Sequence, residues 1–300
     1  MNLARVGAGG GVAGQCPQAG GALARLILGA RLRRLREAAG VSPEDAGEAI
    51  RASRSKISRL EHGRTGFKSR DVADLLTLYG VTDDAERDTM LALAGHANAG
   101  SWWQGYADVV PAWLEHYLDL EPAASLIRTY EVAHVPGLLQ TGDYARAVLR
   151  SGHPAVSAAE VERRVELRLH RQHVLRRSEP VRLWAVIDEA ALRRPIGGAA
   201  VMRAQIAHLI EASRLPHVNI QVLPLSVGGH AASGGCVTLL RFSEAELPDM
   251  VYLEQLLTAV YLSKPTDSAG YRDVLDRLVT QAEDPGASAA TLERMLGARA

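Results

Sequence analysis

SPEDAGEAIRASRSKISRLEHG, residues 42–63, carries the start and stop signals of two short helices. Ser42 is a helix N-cap, Pro43 suits the first helical position, and Glu44 and Asp45 face the positive end of the helix. Ala46, Ala49 and Ile50 form a short apolar side. The helix has room for barely two turns before Arg51-Ala52, because Ser53 is a fresh N-cap. A second helix runs from Arg54 to about His62 with Ile57 and Leu60 as core positions, and Gly63 ends it. Two short helices joined by a tight turn make a helix-turn-helix unit.

A unit of this kind meets DNA only if its second helix packs through one face and leaves the other free for the major groove. Ile57 and Leu60 supply the packing face. The expected DNA-facing set on the helix and its cap is Ser53, Arg54, Ser55, Lys56, Ser58 and Arg59. Arginine can bridge two acceptors on guanine, and serine can meet a base or a phosphate. Arg64 and Lys68, just beyond the helix, suit phosphate contacts that add affinity without sequence information.

Working outward, Leu28, Leu32, Leu35 and Ala39 repeat at helical spacing, Arg31, Arg33, Arg34 and Arg36 line the rest of that helix, and Gly40 is a fitting stop. Ser69 caps a helix with Val72, Leu75, Leu76 and Tyr79 inside, stopped by Gly80. Another starts near Thr82 and passes through Met90, Leu91 and Leu93. Five short helices make an all-α domain over 22–95. Residues 1–21 hold seven glycines and few large side chains. They read as a disordered tail or as sequence upstream of the true start.

GHANAGS, 95–101, has the composition of a joint. Beyond it Trp102, Trp103, Tyr106, Trp113 and Tyr117 crowd together, a pattern more often core than ligand pocket. Helical patterns follow at about 111–133, 141–151, 157–178, 199–214 and 268–283. Strands are expected at Val181–Asp188, Val218–Leu223, Cys236–Phe242, Met250–Glu254 and Ala259–Leu262. Residues 101–300 therefore read as an α+β domain with a mainly antiparallel sheet.

The chain has 34 basic and 34 acidic residues, so it has no global field. The distribution is uneven: residues 24–80 carry 12 Lys/Arg against 7 Asp/Glu, whereas 81–300 carry 21 against 27. A basic segment attached to an acidic one suggests a nucleic-acid partner for the former. Cys16 and Cys236 fit no paired-thiol metal motif, and a reducing cytoplasm is the plainer reading. No apolar run is long enough to span a membrane, and the N-terminal residues lack the apolar stretch of a secretory signal. There is no GxSxG, Walker loop or HExxH. Asp188-Glu189, His230 and Ser233-Gly234-Gly235 read as loop and surface chemistry, and His208, His217 and His230 lack metal spacing. No catalytic residue, cofactor or metal is expected.

LGARLRRLREAAGVSPEDAGEAIRASRSKISRLEHG, residues 28–63, resembles the helix-turn-helix of the xenobiotic-response-element regulator family, the lambda-repressor-like fold. SRSKISRLEHG (53–63) is the strongest part. Residues 101–150 resemble the C-terminal domain of actinobacterial antitoxin-like transcriptional regulators, through Trp102-Trp103, Tyr130-Glu131 and the heptapeptide VPGLLQT at 135–141. Three positions depart from the family pattern. Pro43 stands where a phosphate-contacting polar residue is usual, Gly47 where alanine is usual, and Arg51 where the turn usually has glycine. The last two imply a domain of modest stability.

The resemblance implies a cytoplasmic DNA-binding regulator, with a small protein from a neighbouring gene as a possible partner. The sequence thus leads to a transcriptional regulator that binds double-stranded DNA as a homodimer on a two-part site, its C-terminal domain dimerising or binding an effector or protein. The alternatives are an antitoxin-like module that sequesters a small protein and autoregulates, and a small-molecule sensor.

Overall fold

The structure, a computed structural model, describes residues 17–152, 155–244 and 247–298. The expected tail falls outside these residues up to 16; from 17 onward it is helical. The N-terminal unit comprises α1 (Pro17–Ala38), α2 (Pro43–Ala49), α3 (Arg54–Glu61), α4 (Ser69–Leu78) and α5 (Asp84–Ala97). Ser42 caps α2 through the Asp45 amide at 3.1 Å, and Ser53 caps α3 through the Lys56 amide at 3.2 Å. The core of this unit gathers Leu28 and Leu32 of α1 with Ala46, Ile57, Leu60, Val72, Leu75, Leu76 and Met90.

The first four helices end in the same way. At each C-terminus two backbone amides turn back, as from Gly40 and Val41 to Glu37 and Arg36, or from Gly63 and Arg64 to Leu60 and Arg59. This Schellman geometry needs a left-handed residue just past the helix. Gly40, Gly63 and Gly80 supply it with φ of 66°, 64° and 77°. After α2 the same place is held by Arg51, at φ 53°.

The second unit contains α6 (Ala112–Leu120), β1 (Leu126–Glu131), α7 (Gly142–Gly152), α8 (Ala158–Arg171), β2 (Arg182–Asp188), α9 (Glu189–Arg193) and α10 (Ala199–Ala212). Then come β3 (Val218–Leu223), β4 (Val237–Arg241), β5 (Met250–Glu254), β6 (Ala259–Leu262), α11 (Pro265–Gln281) and α12 (Pro285–Gly297). Among the described residues they form one six-stranded sheet in the order β3-β2-β1-β4-β5-β6. All five expected strands are present.

Two expectations are corrected here. The helix expected over 111–133 stops at Leu120, and its tail is β1. The sheet is mixed rather than mainly antiparallel: β1, β2 and β3 are mutually parallel, and β4, β5 and β6 continue antiparallel from β1. The errors share a cause. β1 is central and buried on both faces, so it lacks the alternation of a half-exposed strand. Without it, the long passage through α7 and α8 cannot be seen as the crossover that makes β1 and β2 parallel.

Alternate residues of the sheet serve two cores. Ile127, Leu183, Ala185, Ile187, Ile220 and Val222 face α10 and α12 through Met202, Ile206, Leu209 and Leu292. Tyr130, Val186, Leu239 and Val251 face α11 through Leu275 and Leu278. Trp102, Trp103 and Tyr106 pack beside Val110, Leu118 and Leu167 in a smaller cluster.

The two units share α1. No residue from 21 to 32 is exposed. Ala24, Leu28 and Leu32 enter the N-terminal core, whereas Leu26 is buried in the core of the second unit, with Leu23, Ile27 and Ala30 packed against it. Arg25 reinforces the arrangement, donating to the Ala97 carbonyl (2.9 Å), Ser101 Oγ (3.3 Å) and Asp119 Oδ2 (2.6 Å). The expected joint is therefore held on both sides, since Asn98 also bonds the Phe67 amide and carbonyl. Leu26→Ala is expected to destabilise the chain by about 2–5 kcal/mol. Urea denaturation should then split into two transitions; a single transition at the wild-type midpoint would show that the cores do not share this helix.

Candidate nucleic-acid interface

Helix α3, the expected recognition helix, is fixed from below. Ile57 and Leu60 are buried at 1% and 3% exposure. Gly29 of α1 lets the two helices touch through backbone: a Cβ there would stand 2.5 Å from the Leu60 carbonyl oxygen. At the end of α3, Glu61 accepts two bonds from the Arg36 guanidinium, at 2.6 and 3.1 Å, while Arg36 also donates to the Val41 carbonyl. Both side chains of this fork are buried, and the carboxylate holds the Arg36 pKa above its ordinary value. Removing one partner of such a pair strands the other charge, at a cost of about 3–5 kcal/mol. In the sequence Arg36 was legible only as one of the arginines lining its helix, and Glu61 only as part of the likeness carried by SRSKISRLEHG.

The other side of α3 faces outward. Ser53, Arg54, Ser55, Ser58 and Arg59 are exposed, as are Arg64 and Lys68 beyond the helix. These residues lie on one run of chain from the cap of α3 to the cap of α4, the position held by Lys68. Ser53 has its hydroxyl engaged as the cap. Ser55, Ser58 and Arg59 project from the open face. Arg70, also exposed and in α4, extends the basic surface and was not among the expected residues.

Besides Ser53, three of the expected contacts are already engaged. Lys56 is half-buried, and its Nζ pairs with Asp71 at 2.9 Å, tying α3 to α4. Arg54 pairs with Glu44 of α2 at 2.9 Å on the surface, where 73% and 52% of the two side chains are exposed. Such exposed pairs contribute little to stability and yield to a better partner such as phosphate. The guanidinium of Arg64 lies over the ring of Tyr261, 5.6 Å from its centroid. Tyr261 belongs to β6, so a residue expected on phosphate touches the second unit.

The turn between α2 and α3 explains the two unusual residues in it. A Cβ on Gly47 would stand 2.6 Å from the Ala52 carbonyl oxygen, so this turn admits only glycine at that position. The glycine expected to weaken α2 is the residue that lets the turn close. Arg51 carries the penalty instead, because a side chain in the left-handed region is crowded by its own backbone.

Elsewhere, the Tyr130 hydroxyl donates to Asp188 Oδ2 at 2.9 Å and lies 3.2 Å from His230 Nε2. Asp188 also caps α9 through the Ala190 amide. Asp188 is buried rather than on the surface as expected, and His230 Nδ1 is buried without a hydrogen-bond partner among the described residues. Among the described residues no group of three or more His, Cys, Asp or Glu is placed to hold a metal ion, and no helix is long and apolar enough to cross a membrane.

Comparison with known families gives two matches. Residues 27–90 match a helix-turn-helix domain, which covers α2, α3, their turn and the basic face above. Residues 114–294 match a domain of unknown function (DUF5753). No curated protein matches the chain, and no solved structure does. The helix-turn-helix match supports a DNA-binding transcriptional regulator.

Arg51→Gly and Gly47→Ala should move stability in opposite directions. The first is expected to gain about 0.5–1 kcal/mol by relieving the left-handed strain, net of the added freedom of the unfolded chain. The second is expected to lose about 1–3 kcal/mol despite its better helix propensity. Thermal unfolding of both variants would check the pair, and a more stable Gly47→Ala would refute the close approach at Ala52.

Proposed function

The chain belongs to the DUF5753 family, and from the helix-turn-helix match over 27–90 together with the α2–α3 geometry we propose that it is a sequence-specific transcriptional regulator of the xenobiotic-response-element type. The observation that carries the reading is the anchoring of α3. Its inner side is fixed by Ile57, Leu60, Gly29 and the Arg36–Glu61 fork, while Ser55, Ser58 and Arg59 remain exposed on the outer side. A rigid helix with an open polar and basic face suits major-groove readout.

In this reading Arg59, Ser55 and Ser58 meet base edges, and Arg54 joins them on leaving Glu44. Ser53 and Lys68 meet phosphates. Lys56 acts through Asp71, holding α3 against α4, and Arg64 divides its role between phosphate and Tyr261. The protein works in the cytoplasm as a homodimer on a two-part site, takes no cofactor and catalyses no reaction. The second unit is antitoxin-like and regulatory. The interdomain cleft of about 450 Å³ favours regulation by this unit over simple tethering, because Arg64 shares its lining with Trp103, Trp113, His116 and Tyr261. Sequestration of a small protein encoded nearby is the second reading, and a co-purifying short chain would favour it.

The test is binding to DNA from the gene's own promoter and to a scrambled duplex across a salt series. Arg59→Ala is expected to reduce discrimination between the two by about 1–3 kcal/mol, whereas Lys68→Ala should weaken both equally and lower the salt slope by about one. Glu44→Gln should bind both duplexes more tightly, since it frees Arg54 and removes a negative charge beside the phosphates. If Arg59→Ala and Lys68→Ala both keep wild-type affinity, α3 is not the DNA-reading helix.

A further inference from the structure

The heptapeptide at 135–141 lies outside the helix-turn-helix unit and is built into a specific place. After β1 the chain passes through Val135 and Pro136 into a short 3-10 turn, Gly137–Leu139. Gln140 is buried and ties the segment to itself, donating to the Val135 carbonyl at 2.6 Å. Gln172 donates to the Gln140 carbonyl at 2.7 Å, and Gln205 to the Leu139 carbonyl at 2.7 Å. Three buried glutamines fix this turn, and it and the sheet line a cavity of about 610 Å³. That lies within the range of sites that enclose drug-sized molecules.

The cavity lies over β1, β4 and β5, on the face where α10 and α12 cover the neighbouring parallel strands. Its apolar part includes Leu114, Ile127, Leu138, Val148 and Leu183. Its polar part contains Arg168, Arg171, Glu131 and Glu254. Three of these charges have partners. Arg171 makes a two-bond fork with Glu121, at 2.8 and 2.9 Å. Glu254 accepts from the Tyr252 hydroxyl at 2.9 Å. Glu131 is pushed up to about 7 by burial and sits beside the Cys236 thiol. At neutral pH it therefore carries only part of a charge.

Arg168 is different. Its hydrogen-bond partner is the neutral Gln140 side chain, at 2.9 Å, and no carboxylate lies within ion-pair distance of it among the described residues. Burial pushes its pKa down to about 10, against the pull of Glu254 and Glu131. A guanidinium held this way, beside an apolar wall, lacks the planar anion that its fork of donors fits.

We propose that this cavity is a binding site for an amphipathic organic anion, its apolar body over Ile127 and Leu183 and its carboxylate or sulfonate on Arg168. A path to the DNA-binding unit is present. Tyr117 and Tyr252 line the cavity with ring centroids 4.4 Å apart, Tyr252 lies 5.3 Å from Tyr261, and Tyr261 carries Arg64. The effector role of the ligand rests on the regulator reading; the binding itself does not.

The experiment uses the full chain and no DNA, so its failure is separate from failure of the DNA-binding reading. Anilinonaphthalene sulfonate is titrated by fluorescence and then displaced by decanoate or by decanol. Saturable one-to-one binding is expected, with decanoate displacing the dye roughly tenfold more effectively than decanol, the worth of one charged hydrogen bond. Arg168→Met should abolish that preference while leaving decanol within about twofold of its wild-type value. Ala133→Phe, which fills the cavity without removing a hydrogen bond, should weaken both ligands at least about tenfold; it decides the matter if Arg168→Met does not fold. Equal binding of decanoate and decanol to the wild type, or dye binding unchanged in Ala133→Phe, would overturn the proposal.

Discussion

Helix α1 is asked to bury two faces at once, and the rest of the molecule is arranged around that demand. A helix that is apolar on more than one side must be covered on each of them. From residue 21 to 32 it is covered throughout, by the helical unit on one side and by α6 and the sheet core on the other. Arg25 sits at the seam. A buried arginine is tolerated only with its donors satisfied, and the three it finds belong to the end of α5, the joint and α6. The position of the exposed face of α3 relative to the sheet is thus set by packing, not by the length of a linker.

The exposed face of α3 inherits its rigidity from the same helix. Gly29 brings α1 into backbone contact with the end of α3, and seven residues later Arg36 grips Glu61. One contact is a matter of missing volume and the other of paired charge, and together they fix both the approach and the rotation of α3. The surface pairs differ in kind. Arg54–Glu44 is solvated and exchangeable, so it suits a contact that must be given up when phosphate arrives. The buried fork serves the fold, and the exposed pair is free to exchange partners.

Much of this was legible in the sequence where a local chemical signal exists. Ser42, Ser53 and Gly63 mark their helix ends unmistakably, and Ile57 and Leu60 mark the inner side of α3. Arg51 was read correctly as a poor residue for a left-handed turn. What local signals could not reveal was contact at a distance. Gly47 read as a weak helix residue, because its crowding comes from Ala52 across the turn. Leu23, Leu26 and Ile27 fall off the single helical face drawn through Leu28, Leu32 and Leu35, because their partners lie in the other unit. β1 failed for the reason that makes it central: a strand buried on both faces has no alternation to display. The cavity residues Glu131 and Arg168 come from a strand and a helix well separated in sequence, so Glu131 was noticed only as part of a family likeness and Arg168 not at all.

The sharing of α1 also bears on how such a chain can be rearranged by recombination. Regulators built from separable modules can exchange their DNA-reading parts, because a flexible link carries nothing that either part needs. Here a cut after α5 would take from the sheet unit the apolar face of α1 that covers it, and would leave Asp119 facing an absent arginine. The helix-turn-helix is therefore not a portable cassette. New DNA specificities on this scaffold are expected to arise by substitution on the outer side of α3, with α1 passed on intact beside the sheet that it helps to cover.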